Sequence, residues 1–147
     1  MRLFRKSEEE NYFYVSRSSI SDIGEGLFTL KDIKKGERIC KFGGRLIGKQ
    51  EFDKILDDIK IGIYDPNAEN YYVSLSSGLI LDSFESDCFA KYANDAEGII
   101  QVERFKNNAK ITEGEDKISA YHEALIDIPA GSEIFTSYGT SYWEGFK

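Results

Sequence analysis

Apolar positions in this chain come in short runs, closed off by Gly, Asp, Asn or Ser. Tyr12–Ser18 (YFYVSRS), Gly26–Leu30 (GLFTL), Glu37–Phe42 (ERICKF), Tyr71–Ser76 (YYVSLS) and Leu79–Asp82 (LILD) are rich in β-branched and aromatic residues and predict strands. So do Ile99–Phe105 (IIQVERF), Ala109–Thr112 (AKIT), Ile118–Leu125 (ISAYHEAL) and Glu133–Tyr138 (EIFTSY). One stretch has another period. In Lys49–Lys60 (KQEFDKILDDIK), Phe52, Ile55, Leu56 and Ile59 fall at i, i+3, i+4 and i+7, the stripe of an amphipathic helix. A shorter helical turn is expected within Ser86–Ala93 (SDCFAKYA).

Two stretches echo each other: Asp32–Ile39 (DIKKGERI) and Asp127–Ile134 (DIPAGSEI) share Asp-Ile-x-x-Gly-x-x-Ile. Each follows one predicted strand and leads into another, with a glycine free to take a positive φ in the turn. They read as two related β-hairpins at opposite ends of one domain.

A chain of 147 residues makes one domain with a single core. The 41% hydrophobic and 14% aromatic content suffices to fill it and argues against disorder. Apolar runs such as Gly78–Leu81 (GLIL) are too short to span a membrane, and Met1–Glu10 has no apolar core of a secretory signal. An intracellular protein is expected, with nucleus and cytoplasm not distinguished. Cys40, Cys88 and the single histidine, His122, are too few for a disulfide framework or a Cys/His metal centre, so no metal is expected. With 19 basic against 26 acidic residues the net charge is −7. That disfavours direct nucleic-acid binding and favours basic partners such as Lys/Arg-rich tails.

Individually, Gly24–Phe28 (GEGLF), Lys91–Asp95 (KYAND) and Phe105–Ile111 (FKNNAKI) read as turn chemistry. Glycines at Gly24 and Gly26 would also let a ligand approach the backbone closely. Ile134–Trp143 (IFTSYGTSYW) crowds four aromatics together, either to dock a strand or to line a pocket with two phenols and an indole.

In order along the chain, these pieces resemble the SET-domain family of S-adenosylmethionine-dependent protein lysine methyltransferases. Gly24-Glu25-Gly26-Leu27-Phe28 resembles the family's Gly-x-Gly and strand, and Gly36-Glu37 through Phe42-Gly43-Gly44 its next turn and strand. Tyr71–Leu75 followed by Asp82 is similar to its Tyr-x-Phe-x-Leu strand and Asp. Lys91-Tyr92-Ala93-Asn94-Asp95-Ala96 corresponds to Arg-Phe-x-Asn-His-Ser, and Asn108 to a later asparagine. Gly131-Ser132-Glu133-Ile134 through Tyr138-Gly139 is similar to the closing Gly-Glu-Glu-Leu-x-x-x-Tyr-Gly, with Tyr142-Trp143 beyond. The likeness runs from about residue 12 to the C-terminus.

The resemblance implies a mainly β fold, the SET-domain β-clip of several short curved sheets, with one inserted amphipathic helix and a short helical turn. It divides a single domain over residues 1–147 into N-terminal strands (12–44), a helical insert (about 45–70), a C-terminal core (71–143) and a tail (144–147). It implies lysine N-methylation of a histone or other basic protein, with S-adenosylmethionine as methyl donor and no metal. Tyr138 would be the catalytic phenol, and Tyr71 and Tyr142 would line the substrate lysine channel. Gly24, Glu25, Gly26, Tyr92, Asn94, Asp95 and Trp143 would hold the donor. Asp95 and Ala96 depart from the family's His-Ser, and Thr136 stands where an aromatic is usual. Without the cysteine-rich module that often follows the domain in this family, Trp143 and Phe146 would be expected to close the adenine side, or a homodimer partner to help. The other reading is a catalytically weak or inactive SET-fold module that binds peptides.

Overall fold

The computed structural model describes residues 11–20, 24–97 and 105–137. Its elements follow in order β1 (Phe13–Arg17), β2 (Glu25–Thr29), β3 (Arg38–Lys41), β4 (Arg45–Ile47) and α1 (Lys49–Lys60). A 3-10 turn (Pro66–Tyr71), β5 (Tyr72–Ser74), β6 (Ile80–Asp82) and a second 3-10 turn (Ala90–Tyr92) come next. β7 (Ala109–Glu113), β8 (Ala120–Ala124), β9 (Glu133–Ile134) and β10 (Thr136–Ser137) complete the described chain. The fold is mainly β, with short strands in several small sheets and one helix, as the SET-domain β fold requires.

Among the described residues the strands form sheets ordered β1-β2-β9, β10-β7-β8-β3 and β4-β6-β5. The main core draws on all three, with Phe13, Leu27, Ile39, Leu81, Phe89 and Ile134 among its buried members. The apolar stripe of α1 covers the third sheet: Ile55 packs with Ile47 and Ile80, and the Phe52 ring stands edge-on to Tyr72 at 5.1 Å. That is what an amphipathic helix with half its surface charged must do to remove its stripe from water. No helix among the described residues is long and apolar enough to cross a membrane.

The echoing segments are not two self-contained hairpins. β2 pairs with β9 and β3 with β8, so each turn carries the chain from one sheet into the other. The turns bond to each other reciprocally. Ile33 and Ile128 exchange both backbone hydrogen bonds at 2.8 Å. The Lys35 amide donates to the Asp127 carboxylate and the Ala130 amide to that of Asp32, each at 2.8 Å. Gly36 and Gly131 take φ of 84° and 87°, so each turn can double back where a side chain would be strained. An Asp-Ile-x-x-Gly repeat specifies the turn but not its partner, which is why the sequence suggested hairpins.

Two further departures have local causes. Glu133–Tyr138 reads as one strand, yet the chain changes sheet at Phe135: β9 joins β2, and β10 runs parallel to β7. The three-residue β4 begins the stretch expected as a helical insert and pairs with β6. Arg45-Leu46-Ile47, flanked by glycines, is too short to show a period. Of the strand expected over Ile99–Phe105, residues 99–104 lie outside the described residues.

Candidate functional site

The entry to β2 is built by Gly24, Glu25 and Gly26. Gly24 takes φ of 97° and its carbonyl accepts the Ser18 amide at 2.8 Å, closing the β1–β2 connection. At Gly26 the space a Cβ would need is filled by the carboxylate of Glu133 on β9. That carboxylate is buried and accepts the Ser18 hydroxyl and the Ser19 amide, both at 2.7 Å. Glycine is therefore required at Gly26 by packing from inside the protein, a reason distinct from ligand approach.

Asn94 ties this entry to the end of the described chain. Its Nδ2 donates to the Glu25 carbonyl at 2.9 Å, and its own carbonyl accepts the Thr136 amide at 2.8 Å. Asn108 completes the crossing: Nδ2 donates to the Glu133 carbonyl at 2.9 Å and Oδ1 accepts the Phe135 amide at 2.8 Å. A side-chain amide thereby substitutes for a strand neighbour where the chain passes between sheets.

Asp95 is buried, and its side chain turns to a different task. One carboxylate oxygen accepts Asn107 Nδ2 at 2.8 Å and the Glu97 amide at 2.9 Å. Asn107 Oδ1 in turn accepts the Ala96 amide at 2.8 Å. These bonds clamp the two ends of the stretch between Glu97 and Phe105, a use to which a carboxylate is better suited than the histidine of the family's pattern.

Tyr71 and Tyr92 form the second half of the grouping. The Tyr71 ring stacks on Phe84 with centroids 5.6 Å apart. Lys91 reaches back between the rings, its Nζ 5.7 Å from the Tyr71 centroid and 5.4 Å from that of Tyr92, while donating to the Phe84 carbonyl at 3.1 Å. Burial raises both phenol pKa values; the neighbouring Tyr92 phenol and then the Glu25 carboxylate raise Tyr71 further, and Glu25 raises Tyr92. Both phenols are protonated donors at neutral pH, and their ring faces already hold a cation. Glu25, Tyr71, Tyr92 and Asn94 are thus brought together, with Gly24 and Gly26 fixing the backbone beneath them.

Beneath Thr136 lies a residue that motif reasoning passed over. His122 is fully buried, with Nε2 2.7 Å from the Ala90 carbonyl and Nδ1 3.1 Å from the Thr136 hydroxyl. Its signal was the alternation in Ala120–Ala124, which puts His122 on the inward face with the two alanines.

A family model described as SET domain matches residues 24–139, well over half of the chain. The chain belongs to the SET-domain family. A variant-silencing SET domain-containing protein of Plasmodium falciparum (isolate 3D7) is 29% identical over 120 residues, covering 81% of this chain and 4% of that protein. The histone-lysine N-methyltransferase mes-4 of Caenorhabditis elegans is 34% identical over 71 residues, 48% of this chain and 8% of that protein. The chain spans a small fraction of the length of both relatives. The SET match opens at Gly24, the start of the structural grouping, and takes in Tyr71, Tyr92, Asn94, Asp95 and Tyr138. Of the site residues expected from the sequence, Tyr138, Tyr142 and Trp143 lie outside the described residues.

Proposed function

We infer that this SET domain is an S-adenosylmethionine-dependent protein lysine N-methyltransferase acting on a lysine of a histone or another basic protein. What supports it most is the convergence of Glu25, Tyr71, Tyr92 and Asn94, from separate parts of the chain, within the family match.

The residues suit the donor's chemistry. A sulfonium with an amino-acid tail needs apolar or aromatic faces that tolerate positive charge, together with polar groups for the tail. Tyr71 and Tyr92 already accommodate the Lys91 ammonium against their faces. In this reading Asn94 and the backbone of Gly24–Gly26 hold the donor's amino-acid end, with Tyr92 and Asp95 alongside and Trp143 packing on adenine. When bound, the donor supplies an electrophilic methyl group carrying its own leaving group.

The protein's task is then alignment and control of one proton. A lysine amine with its ordinary pKa near 10.4 is mostly ammonium and has no free lone pair. A narrow channel lined by Tyr71 and Tyr142 disfavours the ammonium by desolvation and releases the neutral amine. The Tyr138 hydroxyl holds the amine in line with the methyl group, a positioning effect. The net charge of −7 favours basic tails as partners.

The test is incubation with donor carrying a labelled methyl group and mixed histones, followed by mapping of labelled residues by mass spectrometry. Label on lysine is expected. One observation favours the second reading, an inactive peptide-binding module: Asp95 spends its side chain on Asn107 and Glu97. Donor binding in calorimetry with no lysine label would decide for that module.

A further inference from the structure

The imidazole of His122 lies against Phe42 with centroids 4.7 Å apart, and the polar atoms that meet it are the Ala90 carbonyl and the Thr136 hydroxyl. A carbonyl only accepts, so Nε2 carries the proton and donates to Ala90. In the neutral ring Nδ1 is then an acceptor, and Thr136 donates to it. The tautomer and the direction of both bonds are thereby fixed.

The two partners belong to different segments. Ala90 opens the 3-10 turn that carries Lys91 and Tyr92 and leads to Asn94. Thr136 opens β10, two residues before Tyr138 in sequence. The same segments meet directly in the bond from the Thr136 amide to the Asn94 carbonyl. Filling the space would need only an apolar ring; bridging two segments with opposed polar groups needs a donor and an acceptor on one ring.

We propose that His122 is a positioning residue whose two ring nitrogens hold the Ala90–Asn94 segment and β10 at a fixed separation. That separation sets where Tyr92 and Asn94 stand relative to Thr136 and Ser137. The inference rests on the methyltransferase reading of the site, but the bridge itself is measurable without donor or substrate.

Thr136→Val deletes the hydroxyl at nearly constant shape, Thr136→Ser restores it, and His122→Phe removes both bonds. Because the chain has a single histidine, every imidazole NMR signal belongs to His122. The wild type should show the Nε2-protonated tautomer. Amide exchange at Tyr92 and Thr136 should accelerate about tenfold in Thr136→Val and His122→Phe, and return to the wild-type rate in Thr136→Ser. Turnover should fall about tenfold in Thr136→Val, with donor affinity within about threefold and recovery in Thr136→Ser. Folded Thr136→Val and His122→Phe proteins with wild-type exchange at both amides would overturn the proposal, as would wild-type turnover in both. A wild-type protein that binds no S-adenosylmethionine would defeat the methyltransferase reading instead, and the exchange rates would still decide for or against the bridge.

Discussion

The carboxylate of Glu133 lies where a side chain at Gly26 would have to go. Because Ser18 and Ser19 hold that carboxylate in a buried position, it cannot swing aside. Gly26→Ala should therefore destabilise the domain by about 1–3 kcal/mol, the usual cost of overpacking. Urea unfolding measures it. Adding Glu133→Ala should cost less in the Gly26→Ala background than alone, since the two changes act on one space. Strict additivity would show that the clash is relieved elsewhere.

Asn94→Ala removes the donor to the Glu25 carbonyl as well as the proposed contact to the methyl donor. Two effects are expected together: a stability loss of about 1 kcal/mol and donor binding weaker by about 1–3 kcal/mol. Thermal unfolding and calorimetry read them separately. Unchanged affinity in a folded variant would show that another residue holds the donor's amino-acid end.

Tyr138→Phe keeps the ring and removes one hydroxyl. If that hydroxyl acts chiefly in the transition state, turnover should drop by roughly a hundredfold while donor affinity changes little. Tyr142→Phe, by contrast, should change the rate modestly or alter the number of methyl groups added. Near-normal turnover in Tyr138→Phe would return the terminal aromatics to packing.

His122 also gives stability a pH dependence with a definite sign. Burial lowers its pKa from 6.5 to about 4, against a smaller opposing effect of the Ala90 carbonyl. Between these values the unfolded chain binds the proton and the folded one does not. The contribution is therefore complete above about pH 6.5, declines as pH falls, and levels off below about pH 4. Stability should drop by about 2 kcal/mol between pH 7 and pH 5. His122→Phe should flatten that limb of the curve in urea titrations, and an equally steep limb in the variant would place the titrating group elsewhere.

Legibility from sequence followed the range of the interactions. The stripe of Phe52, Ile55, Leu56 and Ile59 gave the helix, because a helical period is local. The ordered motifs around Gly24, Asn94 and Gly131 led to the family. What escaped depends on partners distant in sequence. Nothing near Gly26 announces Glu133, nothing in DIPAGSEI says that Asp127 bonds to Lys35, and Phe135 looks like the middle of a strand until Asn108 is set beside it. The resemblance assigned Glu25 and Tyr92 to the donor and Tyr71 to the lysine channel, but nothing local announced that Lys91 lies against the Tyr71 and Tyr92 rings.

The reciprocal turns also constrain the order of events during synthesis. The side-chain bonds between them span 92 and 98 residues, and neither Asp32 nor Asp127 finds its amide within its own turn. As the chain leaves the ribosome, β2 can join β1 early, but its other edge waits for β9. Loops of that length close slowly compared with a hairpin, and the waiting edge is open to other chains in the meantime. A nascent chain halted before Glu133 would leave that edge of β2 without its native partner.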